Sequence, residues 1–306
     1  MAARLWRLLV GCGAAIGATL AAVLWYLFPV SVRAALAAGL ALALCAPAAL
    51  VAASFPAAVV LGRRRLSVAD VGYLLAALLT EMVDFNLAVL AMMASIRSKG
   101  SKIGPQGCAA NRPVLLIHGI VCNHGVWNGW PARLEASGFG PVRAMDLEPP
   151  LADIDSHATL VARELRVLFE AGGGNPVHII AHSMGGLVAR AALRRVGPAI
   201  IGRIVTIATP HHGTQLARLF RRRRLLQQMC PESAWLNQLN LEQATGAGVP
   251  ITSIYSLEDN IIVPAESAVL PHACSVELRG IGHVGVLSSR KALDTALAAL
   301  NGGRPS

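Results

Sequence analysis

What this chain most lacks is charge. Asp, Glu, Lys and Arg make up 14% of its 306 residues, where a soluble globular domain carries about 25%. The shortage is concentrated before residue 97. Residues 8–28 and 34–61 contain no charged side chain at all. A chain solvated by water throughout has no use for such stretches, so two regions in different solvents are expected. Acidic residues are the scarcer sign, 17 against 27 Lys and Arg, for a net charge of +10. No RNP-like or zinc-finger pattern accompanies the basic excess, and the arginines lie in short clusters beside apolar segments. That argues against a nucleic-acid partner and for an anionic membrane surface. The six cysteines show no C-x-x-C spacing, which leaves neither a metal site nor a disulfide framework to infer. Cys12 and Cys45 fall in the apolar spans, and Cys108, Cys122, Cys230 and Cys274 could pair only in an oxidising compartment.

What is present begins with a membrane region, residues 1–96. The first uncharged stretch is long enough for one helix across the hydrocarbon layer, and Trp25 and Tyr26 near its far end suit an interfacial belt. A cleaved signal peptide is the rival reading; a second apolar stretch follows at once and favours a retained helix. Pro47 and Pro56 would kink that second span, and Arg63, Arg64 and Arg65 stop it. Arginines before the first span and after the second fit a hairpin with both ends in the cytoplasm, as in a multi-pass protein of a bacterial inner membrane. Residues 68–96 are apolar but carry Glu81 and Asp84, three apart and so on one helix face. A carboxylate at the bilayer centre costs about 2.5–3.5 kcal/mol. The segment is therefore expected to span with the acids inward, to pack on the first two helices, or to lie along the surface. The side of the membrane holding the rest of the chain depends on which. Residues 97–111, polar and rich in Gly and Ser, are expected to be a linker.

From residue 112 strand-like runs alternate with helical patterns. Strands are expected at 114–117, 142–145, 177–181, 204–208, 251–255 and 275–278, and helices near 126–136, 156–170, 184–195 and 290–300. Several strands are continuous Val/Ile/Leu runs. That is the mark of a parallel sheet buried on both faces, and so of an α/β fold.

Chemistry-bearing residues sit where those strands end. Val177 to Ala181 is an apolar strand, Ser183 a sharp turn, and Met184 onward a helix, the context of a nucleophile elbow. Gly185 lets strand and helix backbones approach, and Ala181 replaces the first glycine of G-x-S-x-G. A serine N-cap is the plain alternative. His118, Gly119 and Ile120 follow the first strand, where a glycine allows the next N–H to point into a site. His211 and His212 invite a metal, but no third ligand lies at metal-site spacing, so that loop is expected to shape the rim. Residues 214–249 lack a strand pattern and hold Arg221 to Arg224 beside Leu225 and Leu226; a solvated helix face and a lipid-docking lid both suit them. After the fifth strand Glu258 and Asp259 compete to orient a histidine, and the Ile-Ile-Val-Pro run behind Asp259 favours it. His283, between Gly282 and Gly285 on a loop, is placed to meet the other two.

The order Ser183, Asp259, His283, each at the end of its own strand, is the order of the α/β-hydrolase triad. With the segments 116–120, 181–186, 208–214 and 255–264 and the pair Gly282-His283, residues from about 112 to 300 of an expected domain at 112–306 resemble the bacterial lipase and esterase branch of the α/β-hydrolases. The Ala-x-Ser-x-Gly elbow, with His182 and Gly185 around the serine, is similar to that of a subset of bacterial lipases. The resemblance implies an α/β-hydrolase fold and an oxyanion hole from the N–H groups of Ile120 and Met184; it does not cover the first 100 or so residues, where the apolar stretches are expected to form a helical transmembrane region ahead of that fold. It also implies a serine hydrolase of carboxylic, lipid-like esters that needs no cofactor and no metal. Phospholipase, thioesterase or acyltransferase chemistry at the same triad stays open, as does a non-catalytic lipid- or partner-binding domain. The oligomeric state is open as well.

Overall fold

The computed structural model describes residues 2–27, 31–95, 112–244 and 248–303. The expected linker at 97–111 lies outside the described residues. Three long helices come first: α1 (Ala2–Leu27), α2 (Val32–Leu61) and α3 (Val68–Ala94). Ser31 caps α2, its side chain accepting the Ala34 N–H. A capping box between Ser67 and Asp70 starts α3. Of the helices with described side chains, α3 is long and apolar enough to cross a membrane, by length and composition alone.

Six strands follow: β1 (Val114–Ile117), β2 (Val142–Met145), β3 (Val177–His182), β4 (Ile201–Ile207), β5 (Ile251–Ser256) and β6 (Cys274–Leu278). They form one sheet in the order β2-β1-β3-β4-β5-β6, every neighbouring pair parallel. The expected parallel α/β sheet is therefore present. All C-terminal strand ends lie along one edge, which brings residues far apart in sequence together.

Helices cover both faces because alternate strand residues are apolar on both sides. Leu115, Ile117, Ile179 and Ala181 pack under α5 (Ile154–Ala171) and α6 (Met184–Val196). Val114, Leu116, Ile180 and Ile254 pack under α4 (Trp130–Ala136) and α9 (Arg290–Leu300). In α5 the buried residues Ile154, Ala158, Val161, Leu165 and Leu168 recur every three or four positions, and each large side chain so buried contributes about 1.5–3 kcal/mol. The second face has one more cover. Val89 and Met92 of α3 belong to the same apolar cluster as Leu116 and Trp127.

The helix expected near 126–136 is broken. A 3₁₀ turn, His124–Trp127, ends before Gly129, whose φ is +81°, and α4 starts again at Trp130 with Pro131 in its first turn. A left-handed glycine followed by proline ends one helix and launches another. Residues 214–249 carry a 3₁₀ segment (Gln215–Phe220), α7 (Arg224–Gln228) and α8 (Ala234–Glu242). Their inner side chains, Ala217, Leu225, Met229, Leu236 and Leu239, join the core over α5 and α6. Cys122, Cys230 and Cys274 are free thiols.

Candidate active site

Between β3 and α6 a single residue, Ser183, turns the chain. Its φ of 57° and ψ of −129° lie outside the regions that side-chain-bearing residues prefer. The surroundings hold it there: the Ser183 N–H donates to Ile207 O at 2.8 Å and the Gly186 N–H to Ser183 O at 3.0 Å. Strand and helix come so close that a β-carbon at Gly185 would stand 2.6 Å from the carbonyl oxygens of Ile117 and His118. One at Gly119 would stand 2.9 Å from Ser183 Cβ, so both positions require glycine.

The sheet edge assembles a hydrogen-bonded row. Ser183 Oγ lies 3.0 Å from His283 Nε2, and His283 Nδ1 lies 2.9 Å and 3.1 Å from the two oxygens of Asp259. An ionised carboxylate can only accept, so the imidazole proton belongs on Nδ1 and Nε2 is left to accept from the serine hydroxyl. Burial by itself pushes the imidazole down; the charge of Asp259 and its hydrogen bond outweigh that and hold His283 above its ordinary value. Asp259 is itself fixed, since one of its oxygens accepts the N–H groups of Ile261 and Ile262, each at 2.8 Å. All three side chains are buried. Glu258, the other acid at this turn, points away. Its carboxylate takes the Gly280 N–H at 2.7 Å and Arg279 Nε at 3.1 Å.

Two further histidines set the frame. His182 donates from Nε2 to His283 O at 3.0 Å, and its ring lies 4.8 Å from that of His283. Burial first, then the nearby His283, holds it well below its ordinary pKa and so neutral. His118 accepts the Leu147 N–H on Nε2 at 3.1 Å and donates from Nδ1 to Gly119 O at 2.8 Å. Buried and pushed down to about 4, it too stays neutral and pins the turn leading to Ile120.

Residues 160–284, which bracket the whole row, match the family model described as a PGAP1-like alpha/beta domain. Over 118 residues the chain is 30% identical to a triacylglycerol lipase of Pseudarthrobacter phenanthrenivorans, 36% of each chain. It is 30% identical over the same length to one from Burkholderia plantarii, covering 32% of that protein. The chain thus spans about a third of the length of these curated relatives. Among solved structures, Aspergillus fumigatus lipase B superposes with a TM-score of 0.58 at 22% identity, over 68% of this chain and 57% of that one. Mature Bacillus licheniformis lipase BlEst2 gives 0.55 at 17% identity, over 66% of this chain and 96% of that one.

The fold is that of the α/β-hydrolases.

On this α/β-hydrolase sheet the remaining expected residues fall as follows. Met184 is the first residue of α6, so its N–H has no acceptor within the helix. Ile120 follows the glycine that touches Ser183. His211 is buried and occupied: Nδ1 accepts from Arg190 at 3.2 Å and Nε2 donates to Thr206 at 3.0 Å. Arg190, also buried, reaches Asn240 of α8 at 2.9 Å and Gln243 at 2.8 Å, which ties the 214–249 segment to α6. Beyond that tie Leu219, Phe220 and the Arg221 to Arg224 run are exposed.

Sequence reading missed the residues that hold the histidine loop from behind. The His283 N–H donates to Asn260 Oδ1 at 3.0 Å, and the Val284 and Gly285 N–H groups go to Glu81 on α3. Glu81 and Asp84 stand out in sequence as acids in an apolar helix. Their partners lie about 200 residues on, and no local signal names them.

Proposed function

We propose that this protein is a membrane-anchored serine hydrolase that cleaves carboxylic esters of lipid-like substrates through an acyl-enzyme. The observation that carries the reading is the row Ser183 Oγ, His283 Nε2, Asp259 carboxylate, raised on a strained turn at the sheet edge. His283 removes the serine proton as Oγ attacks the ester carbonyl; Asp259 holds the Nδ1–H tautomer and stabilises the imidazolium. The oxyanion is received by the N–H groups of Ile120 and Met184, the latter at a helix N-terminus where partial positive charge gathers. His283 returns the proton to the leaving alcohol. Water activated by the same imidazole then releases the acid and frees Ser183. Similarity to triacylglycerol lipases favours a lipid-like ester over a small soluble one.

The anchoring half of the proposal rests on the first three helices. We assign α1 and α2 as spans of a multi-pass protein. We assign α3 to the membrane surface, because Leu75, Leu79, Val83 and Leu87 repeat every four residues and are exposed, on the face opposite the buried Ala77 and Glu81. Residues 214–249 act as a lid, with Leu219, Phe220 and the arginine run at its outer surface.

The test is hydrolysis of p-nitrophenyl esters of increasing chain length by the full chain in detergent micelles. Activity with wild type and none above background with Ser183→Ala is expected. Equal rates in the two proteins overturn the proposal.

A further inference from the structure

A helix outside the parallel sheet reaches into the histidine loop. Glu81 of α3 is 1% exposed. One of its oxygens accepts the Val284 N–H at 2.8 Å and the other the Gly285 N–H at 2.7 Å. These are the two residues directly after His283. One carboxyl group that holds two adjacent backbone N–H groups fixes both in a single geometry. The approach is close as well. A β-carbon at Gly282 would stand 2.5 Å from a Glu81 carboxylate oxygen, and one at Gly285 would stand 2.9 Å from Asp84. The loop therefore carries glycine on both sides of His283 where the α3 carboxylates press against it.

The same region grips the loop at other points. Asn260, which accepts the His283 N–H, donates to Ser54 of α2 at 2.7 Å. Asp70, at the start of α3, takes Arg279 at 2.7 Å and Arg64 at 2.8 Å, and both arginines also reach Glu258 beside Asp259. The acid and histidine loops are thus held from behind by α2 and α3. His283 lies on an irregular loop between glycines, with neither helix nor strand to set its backbone. What sets it is this ring of tethers, and Glu81 supplies two of the bonds.

We propose that Glu81 is a positioning residue for ester hydrolysis: by holding the N–H groups of Val284 and Gly285 it keeps His283 Nε2 against Ser183 Oγ, which makes α3 part of the catalytic unit and not only of the anchor. The proposal rests on Ser183 and His283 doing the chemistry assigned to them above. A displacement of about 1 Å at a reacting group costs on the order of 100-fold in rate. Loss of this brace therefore acts on turnover and leaves substrate binding nearly as it was.

The experiment uses the full chain in detergent micelles with a p-nitrophenyl ester, comparing wild type, Ser183→Ala, Glu81→Gln, Glu81→Asp and Gly282→Ala. Glu81→Gln keeps the volume but turns an NH₂ group toward a donor. It is expected to lower kcat on the order of 10–100-fold with KM within about twofold. Glu81→Asp keeps the carboxyl group and both acceptor oxygens and recovers part of the loss. Gly282→Ala drives a methyl group into the intact carboxylate and lowers kcat in the same way. Wild-type kcat in Glu81→Gln, or a loss confined to KM, overturns the proposal while an inactive Ser183→Ala leaves the ester-hydrolase assignment standing. If Glu81→Gln shows no cooperative melting transition, Gly282→Ala decides: unchanged kcat there overturns the positioning role. Full activity in Ser183→Ala instead removes the assignment on which it rests.

Discussion

Residue by residue, the site is built from groups whose charge states are set by what surrounds them. His118 and His182 are buried and stay neutral, and Asp146, 3.9 Å from His118 Nε2, offsets little of that burial; His283 is equally buried but is hydrogen-bonded to Asp259 and is held above its ordinary value. The consequence for pH follows from the role proposed for His283 as a base, which must be unprotonated to act. A raised imidazole puts the acid limb of kcat/KM above the ordinary histidine range near 6.5. In Asp259→Asn that support is gone, so the limb should move to lower pH. The maximal rate should also fall on the order of 10³–10⁴-fold, because an amide at this place favours the wrong tautomer. Rates across pH 5–9 for the two proteins check both; an acid limb that stays in place removes Asp259 from the role of partner. Much of this was legible from the sequence. Ser183, Asp259 and His283 each follow an apolar run, and the choice of Asp259 over Glu258 rested on the Ile-Ile-Val-Pro segment, whose first two N–H groups do bond the Asp259 carboxylate.

Among the elements, α3 carries two opposed faces. One buries Ala77, Glu81, Val89 and Met92 against α2 and the hydrolase unit. The other exposes Leu75, Leu79, Val83 and Leu87. A helix with an apolar outer stripe needs an apolar cover, and a bilayer surface supplies one. Replacing Leu79 and Leu87 together by Glu should therefore reduce co-flotation of the protein with anionic vesicles and raise the fraction recovered without detergent. Hydrolysis of a short, soluble ester should change by less than about twofold, since both side chains point away from the histidine loop. Retained flotation would show that α1 and α2 suffice for binding and that the stripe meets something other than lipid. The sequence marked this segment by its two acids but left three placements open. A 3.6-residue period shows that a helix has two faces, but not which partner each face meets.

At the scale of the whole molecule, the first 95 residues and the hydrolase sheet are not independent. Val89 and Met92 complete an apolar cluster with Leu116, Val126 and Trp127. Asn123 Nδ2 donates to Met92 O at 3.0 Å, and the Gly125 backbone passes too close to Ala91 for any side chain. A chain cut to begin at residue 97 should expose that cluster and lose Glu81, Asp70 and Arg64 together. Its melting temperature should drop by several degrees, given about 4 °C or less per kcal/mol for a domain near 200 residues. Its specific activity should fall below that of the full chain in the same detergent. Thermal melts beside ester assays test this, and a fragment as stable and active as the whole would make residues 2–95 an anchor alone.

The sequence by itself determined what is local or periodic. Continuous Val/Ile/Leu runs specified strands buried on both faces. Small residues around Ser183 specified the turn, and chain order specified which strand end carries which group. These follow from backbone sterics and hydrophobic period, which act over a few residues. Only the tertiary structure decided where the acids of α3 go, that Glu258 turns to Gly280 and Arg279, and that His211 is bound by Arg190 and Thr206. Each of these is a buried polar group that must find a donor or acceptor. Which one it finds depends on elements far apart in the chain arriving within about 3 Å of each other, and a sequence pattern carries no record of that distance.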